Sequence, residues 1–110
     1  MARKEKAPDP KVKLDLNNAE FQQSLFALDK STQTELLGTL RKINSMTWGQ
    51  VYQDRGLNWE RIESVSPPPG IDALYSIRIA RSARALAFRQ QEWMRLVLVS
   101  GDHDAAYGKK

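Results

Sequence analysis

The sequence predicts an α+β fold, a small antiparallel sheet with two to three helices packed on one face. Two observations predict it. The N-terminal half carries apolar residues at helical spacing. The C-terminal part carries segments in which polar and apolar residues alternate, as they do in half-buried strands. The length of 110 residues is that of one domain, which we assign to residues 11–110.

The chain begins with a charged segment and a predicted strand. Residues 1–10 hold two prolines and no hydrophobic periodicity, which indicates a flexible basic arm. Residues 11–16 alternate polar and apolar side chains, which predicts a first strand. Asn17 and Glu20 form a capping pair for a short helix with apolar residues at Phe21, Leu25 and Leu28.

A second and a third helix are predicted next. Thr32 and Glu35 form another capping pair, and we expect the second helix to run from about Thr32 to Ser45. Its shared face carries Leu36, Leu40 and Ile43. Thr47 is expected to cap a short third helix that contains Trp48, Val51 and Tyr52 and ends near Gly56.

The chain after residue 70 is predicted to be sheet. Residues 57–65 alternate irregularly, and residues 66–70 (SPPPG) must form a loop because proline donates no hydrogen bond to a sheet. Tyr75, Ile77 and Ile79 alternate with polar residues, so Arg78 is expected on the opposite face. Residues 84–89 and 93–99 form two more strands, joined by short turns that favour antiparallel pairing. Phe88 and Leu98 are expected in the core.

Composition limits the possible functions. The chain has no cysteine, which excludes disulfides and thiolate chemistry, and no apolar stretch reaches the roughly 20 residues that cross a bilayer. We therefore expect a cytoplasmic protein. The net charge of +4 suits a polyanion such as RNA, and it suits an acidic partner protein equally well. No motif for a metal, a phosphate loop or a serine hydrolase appears, so neither metal nor cofactor is predicted.

Arginines are concentrated in the predicted hairpins. Guanidinium groups bind phosphate oxygens in pairs, although arginines on an exposed sheet face often serve only solubility. The clustering favours a phosphate-binding role for Arg78 and Arg84 in particular. The full set within eighteen residues is Arg78, Arg81, Arg84, Arg89 and Arg95.

The segment after the last strand carries the only histidine, His103. Histidine exchanges protons near neutral pH, and the flanking Asp102 and Asp104 favour its charged form, yet an ordinary surface role explains it as well. Tyr107 either stacks on a base or pins the segment to the core. Three tryptophans are typical of a core or a partner-binding surface, although they too can stack on bases.

Four pieces of the sequence carry a resemblance to a known family. They are residues 75–79 (YSIRI), 84–88 (RALAF) and 97–103 (VLVSGDH), followed by Tyr107. This pattern resembles the RelE-type toxins of the RelE/ParE superfamily, from bacterial toxin–antitoxin systems. The resemblance implies a ribosome-dependent endoribonuclease, or mRNA interferase, that acts on messenger RNA in the ribosomal A site. It further implies a cognate antitoxin as partner.

The resemblance also assigns roles. Arg78 corresponds to a basic residue of the first hairpin strand, Arg84 to the arginine that holds the scissile phosphate, and Tyr107 to the family's C-terminal tyrosine. His103 falls where some members place a catalytic histidine, and we take it as the general acid or base. We expect RNA contacts from Arg78, Arg81, Arg84 and Arg95.

Two departures from the family pattern and two other functions stay open. Ser76 stands where well-known members have a lysine, and a glutamate base used in one branch has two weak candidates, Glu60 and Glu63. A ParE-like protein would bind and inhibit DNA gyrase without catalysis. An inactive relative would only bind its antitoxin or another protein.

Overall fold

The computed structural model describes residues 9–101, which form three helices and five strands. The α+β class is confirmed. In chain order the elements are β1 (Lys13–Asp15), α1 (Ala19–Phe26), α2 (Lys30–Asn44), α3 (Trp48–Gln53), β2 (Glu60–Ile62), β3 (Leu74–Ala80), β4 (Ala83–Gln90) and β5 (Trp93–Ser100).

The five strands form one sheet in the order β1-β5-β4-β3-β2. The last four strands pair antiparallel with their neighbours in sequence, which was predicted for β3, β4 and β5 but not for β2. The sheet is nevertheless mixed, because β1 pairs parallel with β5. The prediction of a wholly antiparallel sheet is corrected at this pair. Short turns force consecutive strands to run antiparallel, whereas β1 reaches β5 only through the rest of the fold and is free of that constraint.

The core lies between the sheet and the helices. Side chains from α1, α2 and α3, among them Phe21, Leu36 and Trp48, form one buried cluster with Ile77, Met94 and other residues of the sheet. All three helices therefore cover the same face, as predicted. Among residues 9–101, no helix is long and apolar enough to span a membrane.

Two helices begin at residues other than those predicted. The side chain of Asn18, not Asn17, caps α1 by accepting a hydrogen bond from the Phe21 amide at 3.0 Å. Asp29 caps α2 through the Thr32 amide at 2.8 Å, so α2 begins two residues before Thr32. Each stretch offers several capping side chains in succession, and the sequence does not choose among them.

The third helix and the loop after β2 agree better with the sequence. Thr47 caps α3 in a reciprocal capping box with Gln50, as the pattern of polar residues predicts. The helix ends at Gln53, before Gly56. Residues 66–70 form neither helix nor strand, in agreement with the proline run.

A β-bulge in the β4–β5 pair changes which side chains reach the core. The register shifts between Leu86 and Ala87, so the regular alternation of β5 is interrupted there. The expectation that Phe88 and Leu98 belong to the core was wrong. Both are only partly exposed, but they lie on the face away from the helices, and the core cluster contains Ala87, Leu96 and Val99 instead.

Asp54 stabilises the turn that connects α3 to β2, and the lowered pKa of its carboxyl leads to a testable prediction. Hydrogen bonds from Lys42 and from the Leu57 amide hold the pKa of this carboxyl below its ordinary value of 3.8. Because the pKa of Asp54 is lower in the folded than in the unfolded state, its ionised carboxylate stabilises the folded protein at pH values above 3.8. This contribution to the free energy of unfolding is lost as the pH falls through the folded pKa.

We expect Asp54→Asn to lower the free energy of unfolding at neutral pH, because asparagine keeps an acceptor for Leu57 but loses the ion pair with Lys42 at 2.9 Å. Urea unfolding of both proteins along a series of falling pH values measures it. The difference between the two curves should shrink below pH 3.8. A difference that stays constant with pH contradicts this role for the charge.

Candidate functional site

Within residues 9–101, one face of the sheet is not covered by helices, and it carries two neighbouring arginines. Because successive side chains of a strand point to opposite faces, Ile77 and Ala85 enter the core while their neighbours in sequence lie on the other side. We call this second side the arginine face. It is formed by Asp15, Ser76, Arg78, Arg84, Leu86, Phe88 and Arg95.

Arg78 and Arg84 lie directly opposite each other on β3 and β4. The Cβ atoms of such a cross-strand pair are about 4.5–5.5 Å apart, and two like charges at that distance destabilise the sheet. Within residues 9–101, neither guanidinium has a carboxylate partner. The pair therefore concentrates positive charge at one point of the face.

The hydrogen bonds of this pair leave most of its donors available. Arg84 is partly buried, and its Nη1 donates to the Oγ of the fully buried Ser76 at 3.0 Å. This bond holds the Arg84 side chain along the strand. Arg78 is exposed, and no side-chain hydrogen bond to it occurs within residues 9–101. Two guanidinium groups so arranged can bind the oxygens of one phosphate.

Arg95 also lies on the arginine face, but a carboxylate neutralises it. Its Nη1 donates to Asp15 of the neighbouring strand β1, and its Nε donates to Gln90 at 2.7 Å. The hydrogen bond from the Asn17 amide, together with Arg95, lowers the pKa of the Asp15 carboxyl. Arg95 is therefore less suited to a free anion than Arg78 and Arg84.

Arg81 belongs to the turn between β3 and β4 and contacts helix α2. Its Nη2 and its backbone amide both donate to the carboxylate of Glu35, at 3.2 and 2.9 Å. The side chain is 89% exposed. The structure thus brings Arg78 and Arg84 together and directs Arg81 toward the helical layer.

Two of the predicted catalytic residues, His103 and Tyr107, lie outside the described residues. Of the two weak glutamate candidates, Glu60 lies opposite Ser76 in the β2–β3 pair, on the arginine face. Glu63 follows β2 and pairs with Arg61 at 3.4 Å. Among residues 9–101, no three acidic or histidine side chains cluster as metal ligands would.

Sequence reasoning missed a group on the opposite face. Arg89 is five residues after Arg84 on the same strand, and an odd spacing places the two side chains on opposite faces. Its Nη1 donates to the Tyr52 hydroxyl at 2.7 Å, and its guanidinium lies 4.5 Å from the ring centre of Trp48. The odd spacing was the signal that separates Arg89 from the phosphate-binding pair.

Comparisons with known proteins do not assign this chain to a family. A scan against protein-family models, a search of curated proteins and a search of solved structures gave no match. The geometry of the arginine face and the resemblance in its strand sequences are thus the basis for a functional proposal.

Proposed function

We propose that this chain is the toxin of a type II toxin–antitoxin system, a ribosome-dependent endoribonuclease that binds the scissile phosphate of messenger RNA at Arg78 and Arg84. One observation carries the proposal. The two arginines face each other across β3 and β4 without a carboxylate partner in residues 9–101. An arrangement that destabilises the free sheet becomes favourable when a phosphate lies between the two charges.

The proposed reaction is an internal transfer of the phosphate. A ribose 2'-hydroxyl gives its proton to a base and attacks the adjacent phosphorus, and the bond from phosphorus to the 5'-oxygen breaks. That oxygen takes a proton from an acid, which leaves a 2',3'-cyclic phosphate and a 5'-hydroxyl. Negative charge grows on the phosphoryl oxygens during attack, and the guanidinium groups stabilise it.

The proton transfers are assigned by the resemblance. His103 is the proposed general acid or base, with Tyr107 as a second group near the substrate. Glu60 is a candidate base because it lies on the same face as Arg78. The proposal includes a cytoplasmic location and a cognate antitoxin, which the net charge of +4 suits if that antitoxin is acidic.

The test is an in-vitro translation reaction to which the purified protein is added. Primer extension then maps the 5' ends of the messenger, and we expect new ends on translated message and none on the same RNA without ribosomes. Intact message together with loss of gyrase supercoiling supports the ParE-like alternative and contradicts the proposal. Intact message with normal gyrase activity indicates a protein that only binds its partners.

A further inference from the structure

A cavity of about 630 Å³ lies on the helical side of the sheet, at the ends of β3 and β4 away from the Arg78–Arg84 pair. Tyr52 of α3, Trp59, Tyr75 of β3 and Arg89 of β4 line it, and we call this site the aromatic pocket. Its volume is in the range of ligand sites, roughly 300–1,000 Å³. The proposed cleavage reaction does not use it.

The aromatic rings of the pocket belong to one cluster, which also includes Trp48 of the core. Trp59 and Tyr75 are nearly parallel, with ring centres 4.6 Å apart and planes at 14°. Trp48 meets Trp59 edge-on at 5.3 Å and lies 5.6 Å from Tyr52, which is 52% exposed. Trp48 is buried in the core and holds this aromatic cluster in place, while Tyr52 is exposed to solvent. Rigid rings of this kind bind nucleobases of any sequence by stacking.

Arg89 supplies one positive charge at this pocket. Its Nε donates to the Gln91 carbonyl at 2.6 Å and its Nη1 to Tyr52, so the side chain is fixed while other N–H groups stay available. Asp9 interacts with Arg89 by charge, but it accepts its hydrogen bonds from Thr47 and Gly49. Arg89 can thus still donate to a phosphate oxygen.

The charges of the residues that line the pocket favour a phosphodiester of RNA over a free nucleotide. Asp72 also lines the pocket, so the lining contains one arginine and one carboxylate. Free nucleotides carry two or more negative charges on their phosphate, whereas a phosphodiester within RNA carries one. Asp72 and the side-chain amide of Gln91 suit the polar edge of an unpaired base. In a duplex that edge already forms hydrogen bonds with the opposite base.

We propose that the aromatic pocket binds one unpaired nucleotide of single-stranded RNA, with its base against the aromatic rings and its phosphodiester at Arg89. The inference depends on the proposed function in that the polymer is RNA. Tyr75 immediately precedes Ser76 of the arginine face, and Arg78 lies about 10 Å further along β3, at about 3.3 Å a residue. A single strand of RNA that crosses from one face of the sheet to the other at these ends of β3 and β4 can reach both sites.

The test uses a short single-stranded RNA with 2'-O-methyl groups, which cannot be cleaved by 2'-hydroxyl attack. Fluorescence titration measures its affinity, and the indole N–H signals in NMR spectra report the location. We expect the Trp59 signal to shift on titration with the single strand, because Trp59 lines the pocket. The same RNA in a duplex should bind without shifting Trp59.

Tyr52→Ala and Arg89→Gln test the pocket without removing a buried residue. Each should weaken single-strand binding about tenfold, because a base stacked on Tyr52 and a charged hydrogen bond from Arg89 each contribute about that much. Arg41→Ala removes the same charge from the exposed side of α2 and should bind as the unaltered protein does. Unchanged affinity in both pocket variants, or an unshifted Trp59 signal, overturns the inference. Equal or tighter binding of nucleoside monophosphates overturns the assignment to RNA.

Arg84→Ala distinguishes failure of this inference from failure of the proposed function. That variant should lose cleavage on the ribosome but keep the Trp59 shift, because Arg84 lies on the opposite face of the sheet. If the unaltered protein cleaves no message yet shows the shift, only the cleavage proposal fails. If it cleaves message but shows no shift, only the pocket inference fails.

Discussion

Arg84→Ala is expected to reduce cleavage of translated messenger RNA by about 100-fold or more. Arg84 is held along β4 by its hydrogen bond to Ser76, so its guanidinium is in place before the substrate arrives. A donor fixed in this way stabilises the charge of the transition state without reorganisation, and its loss is felt mainly in the rate of the chemical step. Primer extension at increasing times measures this rate.

Control variants distinguish the geometry of the Arg84 guanidinium from its positive charge. Arg84→Lys keeps the positive charge but not the planar pair of donors, and we expect it to cleave more slowly than the unaltered protein. Arg41→Ala should cleave normally. Arg78→Ala should resemble Arg84→Ala, since the two arginines oppose each other. Rapid cleavage by a folded Arg78→Ala, Arg84→Ala double variant contradicts the site.

Loss of these arginines should not unfold the domain. Two like charges lie face to face, and removing one of them relieves their repulsion. We therefore expect the free energy of unfolding of Arg84→Ala to fall by no more than about 1 kcal/mol. Arg84→Ala would then remove most of the cleavage activity while it changes the free energy of unfolding only slightly.

Phe21→Ala is expected to destabilise the domain by about 3–5 kcal/mol. Phe21 is fully buried and packs α1 into the core cluster. Domains of this size are stable by only about 5–15 kcal/mol, so this one substitution removes a large share of the total. Urea unfolding followed by circular dichroism measures the change.

The control is Phe26→Ala in the same helix. Phe26 is 75% exposed, so its removal creates no cavity and should change the free energy of unfolding by less than about 0.5 kcal/mol. Similar losses from both substitutions would contradict the packing of α1. Phe88→Ala should lie between them, because Phe88 is partly buried outside the core cluster.

The strands were easier to predict than the helix boundaries. Alternation in β3, β4 and β5 is a local property with a period of two, and the short turns between them fix their pairing. The register that sets Arg78 opposite Arg84 also depends on an irregularity between Arg78 and Ala80, which the turn alone does not predict. Helix α2 begins at Lys30 because Asp29 caps it, and neighbouring Ser31 and Thr32 offer the same chemistry.

The partners of the other arginines depend on contacts between distant parts of the chain. Arg95 meets Asp15 only because β1 pairs parallel with β5, and Arg81 meets Glu35 only because α2 packs near the β3–β4 turn. Neither contact leaves a pattern in the sequence. The bulge near Ala87 likewise cannot be read from residue types, and it excludes Leu98 from the core.

The parallel pairing of β1 with β5 has a consequence for synthesis of the protein. Helix α1 packs against β5, where Ser24 Oγ accepts a hydrogen bond from the Val99 amide at 2.9 Å. Neither β1 nor α1 can therefore make its native contacts with β5 until that strand has been synthesised. The spacing of Asp15 and Arg95 shows that this happens some eighty residues later. Contacts this distant in sequence form slowly. The nascent chain thus exposes the apolar side of α1 until β5 has been synthesised, and the domain folds only after that.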